Sequence, residues 1–134
     1  MISLLIVAHG SLGSCLIQCA THVLGKRPEG LDCVDLTSSD DPAAMLGLTQ
    51  AVLSRVDQGR GVLILTDVYG ATPCNTVCKV LRPGHVEAVA GVNLPMLLKC
   101  LTYRGENMST LIAKAVSGGQ AGIFPITPPA IDHA

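Results

Sequence analysis

Aromatic side chains are nearly absent: two Tyr, one Phe and no Trp in 134 residues. Such a chain lacks the stacking platforms that hold unpaired bases or sugar rings. Charge is scarce as well. Charged residues make up 14% of the sequence, and 9 Lys and Arg against 10 Asp and Glu leave a formal net charge of -1. A nucleic-acid binder carries a basic excess, and none is present. No apolar run approaches the roughly 20 residues of a membrane-spanning helix. The opening run, Ile2 to Ala8, has neither the basic leader nor the cleavage pattern of a signal peptide. The expectation is a cytoplasmic protein with no direct membrane insertion.

What is abundant is aliphatic. Hydrophobic residues account for 49% of the chain, too many for a disordered segment. The length suits one domain with a substantial core. Strands buried on both faces read as continuous apolar runs, the signature of a parallel sheet covered by helices. Low charge with high apolar content also implies that a partner covers some surface, so a homo-oligomer is expected. The six cysteines include two i,i+4 pairs, Cys15/Cys19 and Cys74/Cys78. These lack the tight loops of a zinc site and are read as small buried hydrophobes.

The chain alternates strand and helix signals without internal repeat or linker. Strand one is Ile2 to Ala8. Helix one runs from about Leu12 to Leu24, with Leu12, Leu16, Cys19, Ala20 and Val23 on its apolar face and Gly25 as its C-terminal cap. Strand two is Leu31 to Leu36. Asp41-Pro42 opens helix two, which carries Leu46, Val52, Leu53 and Val56. Strand three, Gly61 to Thr66, is apolar on both faces and should be central. Thr72-Pro73 repeats the cap-plus-proline signal and opens helix three, ending before Pro83-Gly84.

Strand four is Val86 to Gly91, followed by a helix from Leu94 and another from about Met108 to Val116 that stops at Gly118-Gly119. Ala121 to Phe124 is a candidate short last strand. Residues 1–124 form the expected domain, and 125–134 a Pro-rich flexible tail. This alternation predicts an α/β fold: a small doubly wound parallel sheet of order 2-1-3-4 with helices on both faces.

Such a sheet binds ligands at its topological switch point, outside the carboxyl ends of strands one and three. The residues at those ends are His9 and Asp67. A carboxylate that accepts one ring N–H fixes the imidazole tautomer and frees the other nitrogen as a nucleophile. Two helices begin beside these strand ends, and helix N-termini favour anions. Ser11 and Thr72 offer hydroxyls, Gly10 and Gly70 allow close approach of backbone, and Ala71 completes the loop. Neither a Walker lysine motif nor Gly-x-Gly-x-x-Gly is present, so the site suits a single phosphoryl group better than a nucleotide. No metal or cofactor is called for. His22 and His85 are read as solvated residues, and His133 as part of the tail.

The segments Ile6-Val7-Ala8-His9-Gly10, Thr66-Asp67-Val68-Tyr69-Gly70-Ala71-Thr72-Pro73-Cys74-Asn75 and Ala90-Gly91-Val92-Asn93-Leu94-Pro95-Met96-Leu97 together resemble the mannose-family enzyme IIA domain of the bacterial phosphotransferase system. The resemblance covers about residues 1 to 124. It implies a cytoplasmic homodimer in which His9 takes a phosphoryl group from phospho-HPr and passes it to a separate IIB protein, or holds it as a regulatory signal. It maps Asp67 as the orienter of His9 and Thr72 as the hydroxyl near the phosphate. It also implies that Ala121 to Phe124 exchanges between subunits as an edge strand. The family commonly has Gly-Gly-Ser-Pro where this chain has Gly70-Ala71-Thr72-Pro73, and an aromatic residue where it has Cys74.

Other readings compete. The phosphoryl-donor subunit of the phosphotransferase-dependent dihydroxyacetone kinase shares the fold and the histidine, but Gly91 to Leu97 favours the mannose type. A tetrapyrrole metal chelatase also opens with a strand running into His-Gly-Ser, with His9 as metal ligand. It needs a second histidine facing the first, and His85 begins strand four at the other end of the sheet. A non-catalytic regulatory module differs only in where the phosphate goes next.

Overall fold

The computed structural model describes residues 1–37 and 40–129. The elements run β1 (Ser3–His9), α1 (Leu12–Leu24), β2 (Leu31–Leu36), α2 (Pro42–Val56), β3 (Val62–Thr66), α3 (Thr72–Cys78), β4 (Val86–Ala90), α4 (Leu94–Tyr103) and α5 (Met108–Ala121). The four strands form one sheet in the order β2-β1-β3-β4, and every pairing is parallel. This is the expected doubly wound topology. β1 and β3 occupy the centre, and the five residues of β3 are all buried.

Alternate side chains of these central strands enter two separate cores. Leu4, Ile6 and Ala8 pack with Leu63 and Leu65 against Leu16, Ile17 and Ala20 of α1, Met96, Leu97 and Cys100 of α4, and Leu111 and Ala115 of α5. Leu5 and Val7 pack with Val62 and Ile64 on the other face, against Met45, Val52 and Val56 of α2 and Val77 of α3. The period of two along a strand buried on both faces explains the unbroken apolar runs.

Local signals set most boundaries. Gly25 caps α1 in the left-handed conformation at φ 84°. The Asp41 carboxylate accepts the Ala44 N–H at 2.8 Å, a cap worth about 1 kcal/mol. Asn93 caps α4 through the Met96 N–H at 2.9 Å, and its amide donates to the Gly119 carbonyl at 3.1 Å, tying α4 to α5.

Several expectations need correction. The buried face of α1 is Gly13, Leu16, Ile17 and Ala20, whereas Leu12, Cys19 and Val23 are exposed. The apolar stripe is wide enough to permit either orientation, and packing on β1 and β2 selects the one centred on Gly13 and Ile17. Only Cys74 and Cys100 are buried; Cys15, Cys19 and Cys78 are exposed and Cys33 is intermediate. Burial pushes the Cys100 thiol up to about 12.

Helix α5 does not stop at Gly118-Gly119 but continues to Ala121. These glycines are close-contact sites. A Cβ on Gly118 would lie 2.6 Å from Lys99 Cβ, one on Gly119 2.9 Å from Met96 Cε, and one on Gly122 2.5 Å from Pro95 Cβ. Ala121 to Phe124 forms no strand within this chain: Ala121 ends the helix, and residues 123–129 are exposed without regular structure. The rest of the expected tail, 130–134, lies outside the described residues.

At the amino-terminal edge of the sheet, Asp57, just past α2, lies 2.6 Å from His85 Nε2 and 3.8 Å from Arg82 Nη2. His85 is therefore a paired residue joining α2 to the start of β4, and not merely a solvated one. Burial disfavours the Asp57 carboxylate, but hydrogen bonds from His85 and the Gly59 N–H, with the His85 and Arg82 charges, hold it below the ordinary carboxylate value of 3.8.

Two outcomes follow. Gly118→Ala should destabilise the fold by about 1–3 kcal/mol in denaturant titration, because the clash with Lys99 outweighs the helix-propensity gain. For Asp57 the folded state binds its proton less readily than the unfolded state. Its contribution is complete above 3.8 and is lost as pH falls through the lower folded value. Asp57→Asn should therefore lower stability at neutral pH and flatten the acid limb of the stability profile.

Candidate functional site

β1 and β3 run side by side, Val7 opposite Thr66, so the residues that follow emerge together at the carboxyl edge. Asp67 Oδ2 accepts the main-chain N–H of His9 at 3.0 Å and lies 2.7 Å from His9 Nδ1. Oδ1 accepts the Val68 N–H at 2.9 Å. The Asp67 carbonyl accepts the Gly91 N–H at 3.0 Å and the Thr66 carbonyl accepts the Val92 N–H at 3.0 Å, so the loop after β4 fixes the backbone that carries Asp67.

Burial works against the Asp67 charge. The hydrogen bonds from the His9 main chain, the His9 ring and the Val68 N–H outweigh it, with the charge of His9, and hold the carboxyl below its ordinary range. An ionised carboxylate can only accept, so Nδ1 carries the proton and a neutral ring presents its lone pair at Nε2. The His9 side chain is 54% exposed while that of Asp67 is 11% exposed. The pair thus combines an accessible imidazole with a sheltered carboxylate.

The other expected site residues lie on the two loops opening at this edge. Gly10 adopts φ 56°, a conformation natural to glycine, and donates its N–H to the Leu36 carbonyl at 2.8 Å. Ser11 is exposed at the N-cap position of α1 without a capping bond from its side chain. Gly70, at φ 83°, has open space where a Cβ would stand. Ala71 donates its N–H to the Val68 carbonyl at 3.4 Å.

Thr72 is not the cap of α3. Ala71 holds that position, and Thr72 and Pro73 are the first helical residues, with no side-chain capping bond. Proline is tolerated throughout the first helical turn, so Thr-Pro does not single out which residue caps. The Thr72 hydroxyl accordingly has no hydrogen-bond partner among the described residues. The second helix terminus is also weaker than expected. α3 spans 7 residues, under two turns, and offers local amides more than a summed dipole.

Asp35 and Ser14 were not anticipated. Asp35 Oδ1 accepts the Ser14 N–H at 3.3 Å, and the Ser14 hydroxyl donates to Oδ2. An acidic residue between Val34 and Leu36, in the layer of β2 beside Ala8, was the available signal. His85 immediately precedes β4 at the opposite edge, engaged with Asp57, so it does not face His9 as a metal-chelatase pair would require.

Comparison with known proteins bears on the family and the fold. The family described as PTS system fructose IIA component matches residues 3–116. The PTS system mannose-specific EIIAB component of Escherichia coli (strain K12) is 30% identical over 136 residues, covering 99% of this chain and 42% of the relative. The chain thus spans less than half the length of that relative. The PTS system fructose-specific EIIA component of Bacillus subtilis (strain 168) is 28% identical over 105 residues, covering 78% of this chain and 71% of the relative. Among solved structures, the mannose/sorbose specific IIA subunit of the phosphotransferase system from Enterococcus faecalis superposes with a TM-score of 0.86 at 23% identity, covering 98% of each chain. Among the described residues no helix is long and apolar enough to cross a membrane. With its sheet order, its two edge loops and a family match that covers most of its length, the chain belongs to the mannose-type IIA family of the phosphotransferase system, a family of phosphotransferase components.

Proposed function

We propose that His9 is a transient phosphoryl carrier, loaded by phospho-HPr and discharged to a IIB acceptor or read as a regulatory signal. The observation that carries this reading is the 2.7 Å contact between His9 Nδ1 and Asp67 Oδ2. In the forward step the Nε2 lone pair attacks the donor phosphorus. The donor P–N bond breaks, and the donor imidazole keeps that electron pair. The His9 ring becomes cationic with its proton still on Nδ1, and the adjacent carboxylate stabilises that charge. Phosphoryl transfer needs mainly positioning and charge stabilisation, so no metal is invoked at His9.

The hydroxyls of Ser11 and Thr72 donate to the phosphoryl oxygens. Gly10 and Gly70 leave room for them, and Ala71 holds the turn between β3 and α3. The openness of His9 suits delivery by another protein. Residues 1–124 constitute the carrier domain, in a cytoplasmic homodimer. β4 stands at the edge of the sheet, and Ile123 and Phe124 are 75% and 70% exposed. This combination supports exchange of Ala121 to Phe124 between subunits as an added edge strand.

Incubation with phosphoenolpyruvate, enzyme I and HPr should add an acid-labile phosphoryl mass to the intact chain, and His9→Ala should abolish it. Asp67→Ala should slow transfer roughly a hundredfold by releasing the ring from its productive orientation. A phosphorylated His9→Ala variant would refute the carrier role. Wild-type kinetics in Asp67→Ala would remove the orienter.

A further inference from the structure

Helix α1 begins on a serine whose side chain does not cap it. Ser11 holds the N-cap position, its carbonyl accepting the Cys15 N–H at 2.9 Å, yet its hydroxyl makes no capping bond. A serine there normally accepts the N–H of the second or third helical residue. The third is Ser14, and its N–H is taken by Asp35 Oδ1 at 3.3 Å. The Ser14 hydroxyl donates to the other oxygen of the same carboxylate.

We propose that Asp35 is the working N-terminal cap of α1 and a positioning residue for the phosphoryl site. By occupying the Ser14 amide from a neighbouring strand, it leaves the Ser11 hydroxyl free to serve a phosphoryl group on His9. This rests on the carrier reading of His9.

The placement of Asp35 is built into the fold. β2 pairs with β1 so that Asp35 lies opposite Ala8, and the Gly10 N–H continues the ladder to the Leu36 carbonyl. The carboxylate therefore stands beside the turn that follows His9. Gly13 lets the helix approach it: a Cβ there would lie 2.8 Å from Asp35 Oδ1 and 2.9 Å from Cys33 Cβ. The Cys33 thiol lies 3.6 Å from the Ser14 hydroxyl and closes the cluster from below. Among the described residues the Ser11 hydroxyl has only the Cys15 thiol as a hydrogen-bond partner, at 3.9 Å. A thiol is a weak donor, so Ser11 keeps its own proton to give.

Without Asp35, the Ser14 amide becomes an orphan at the helix end and the Ser11 hydroxyl is the nearest acceptor of the right type. Turning inward to cap, Ser11 leaves the phosphoryl site. The loss of Asp35 and the loss of Ser11 should then act through one event, and their effects should not add.

The test is single-turnover transfer from phospho-HPr to wild type, Asp35→Ala, Ser11→Ala, the double variant and Asp35→Asn, with Ser14 amide exchange followed by NMR in each. Asp35→Ala and Ser11→Ala should each slow transfer about tenfold, the scale of one cap, at unchanged half-saturating donor. The double variant should be no slower than either single one. Asp35→Asn, which keeps an acceptor oxygen, should retain most of the rate, whereas a purely charge-based role would make it resemble Asp35→Ala. The Ser14 amide should stay protected in both single alanine variants and lose protection only in the double.

Additive losses, a wild-type rate in folded Asp35→Ala, or a protected Ser14 amide in the double variant would overturn the assignment. Asp35→Ser, too short to reach, supplies the same comparison should Asp35→Ala not fold. A wild-type chain that takes no phosphoryl group would remove the carrier reading, and the exchange pattern would still decide whether Asp35 caps α1.

Discussion

One carboxylate oxygen holds the site together. Asp67 Oδ2 accepts from both the main chain and the ring of His9, so a single atom fixes where β1 ends and how its last side chain is turned. Those two bonds are possible only because β1 and β3 are adjacent, which the parallel order β2-β1-β3-β4 imposes. The two cores on either face of the sheet keep those central strands in register, and the loop after β4 pins the Asp67 carbonyl from the other side. An exposed imidazole would otherwise rotate freely, and the entropy of that freedom would oppose any single ring orientation.

Around this pair the structure leaves hydroxyls unspent. Ser11 and Thr72 both stand at helix starts, where such side chains ordinarily cap, and neither does so. Ala71 takes the cap position at α3, and Asp35 takes the exposed amide at α1. Groups that would lower the energy of the empty scaffold are instead available for an incoming anion, as the proposed carrier role requires. Local stability is conceded at the site and recovered at a distance, where Asp41, Asn93 and Asn107 cap their own helices through side-chain oxygens.

The packing of α4 on α5 shows how composition and fold meet. Gly118, Gly119 and Gly122 read along the chain as helix breakers, since glycine is a poor helix former. In three dimensions they are the places where Lys99, Met96 and Pro95 come too near for any side chain. The contact energy of the close approach offsets the propensity cost, and the helix runs on.

Much of this was legible in residue order alone. Apolar runs bounded by glycine marked the four strands, an aspartate followed by proline marked the helix start at Asp41, and alternation implied a parallel sheet with His9 and Asp67 at its switch point. These inferences hold because they rest on local sterics and on a chain topology with few solutions. What the order of residues left open was decided by tertiary contact: which side of a wide apolar stripe α1 buries, whether glycines end α5, which residue caps α3, and that Asp35 reaches across from β2 to Ser14. Each of these is a competition between a local preference of about 1 kcal/mol and contacts with residues distant in sequence. Only the folded geometry sets the second quantity, because it alone brings those residues within hydrogen-bonding or van der Waals distance.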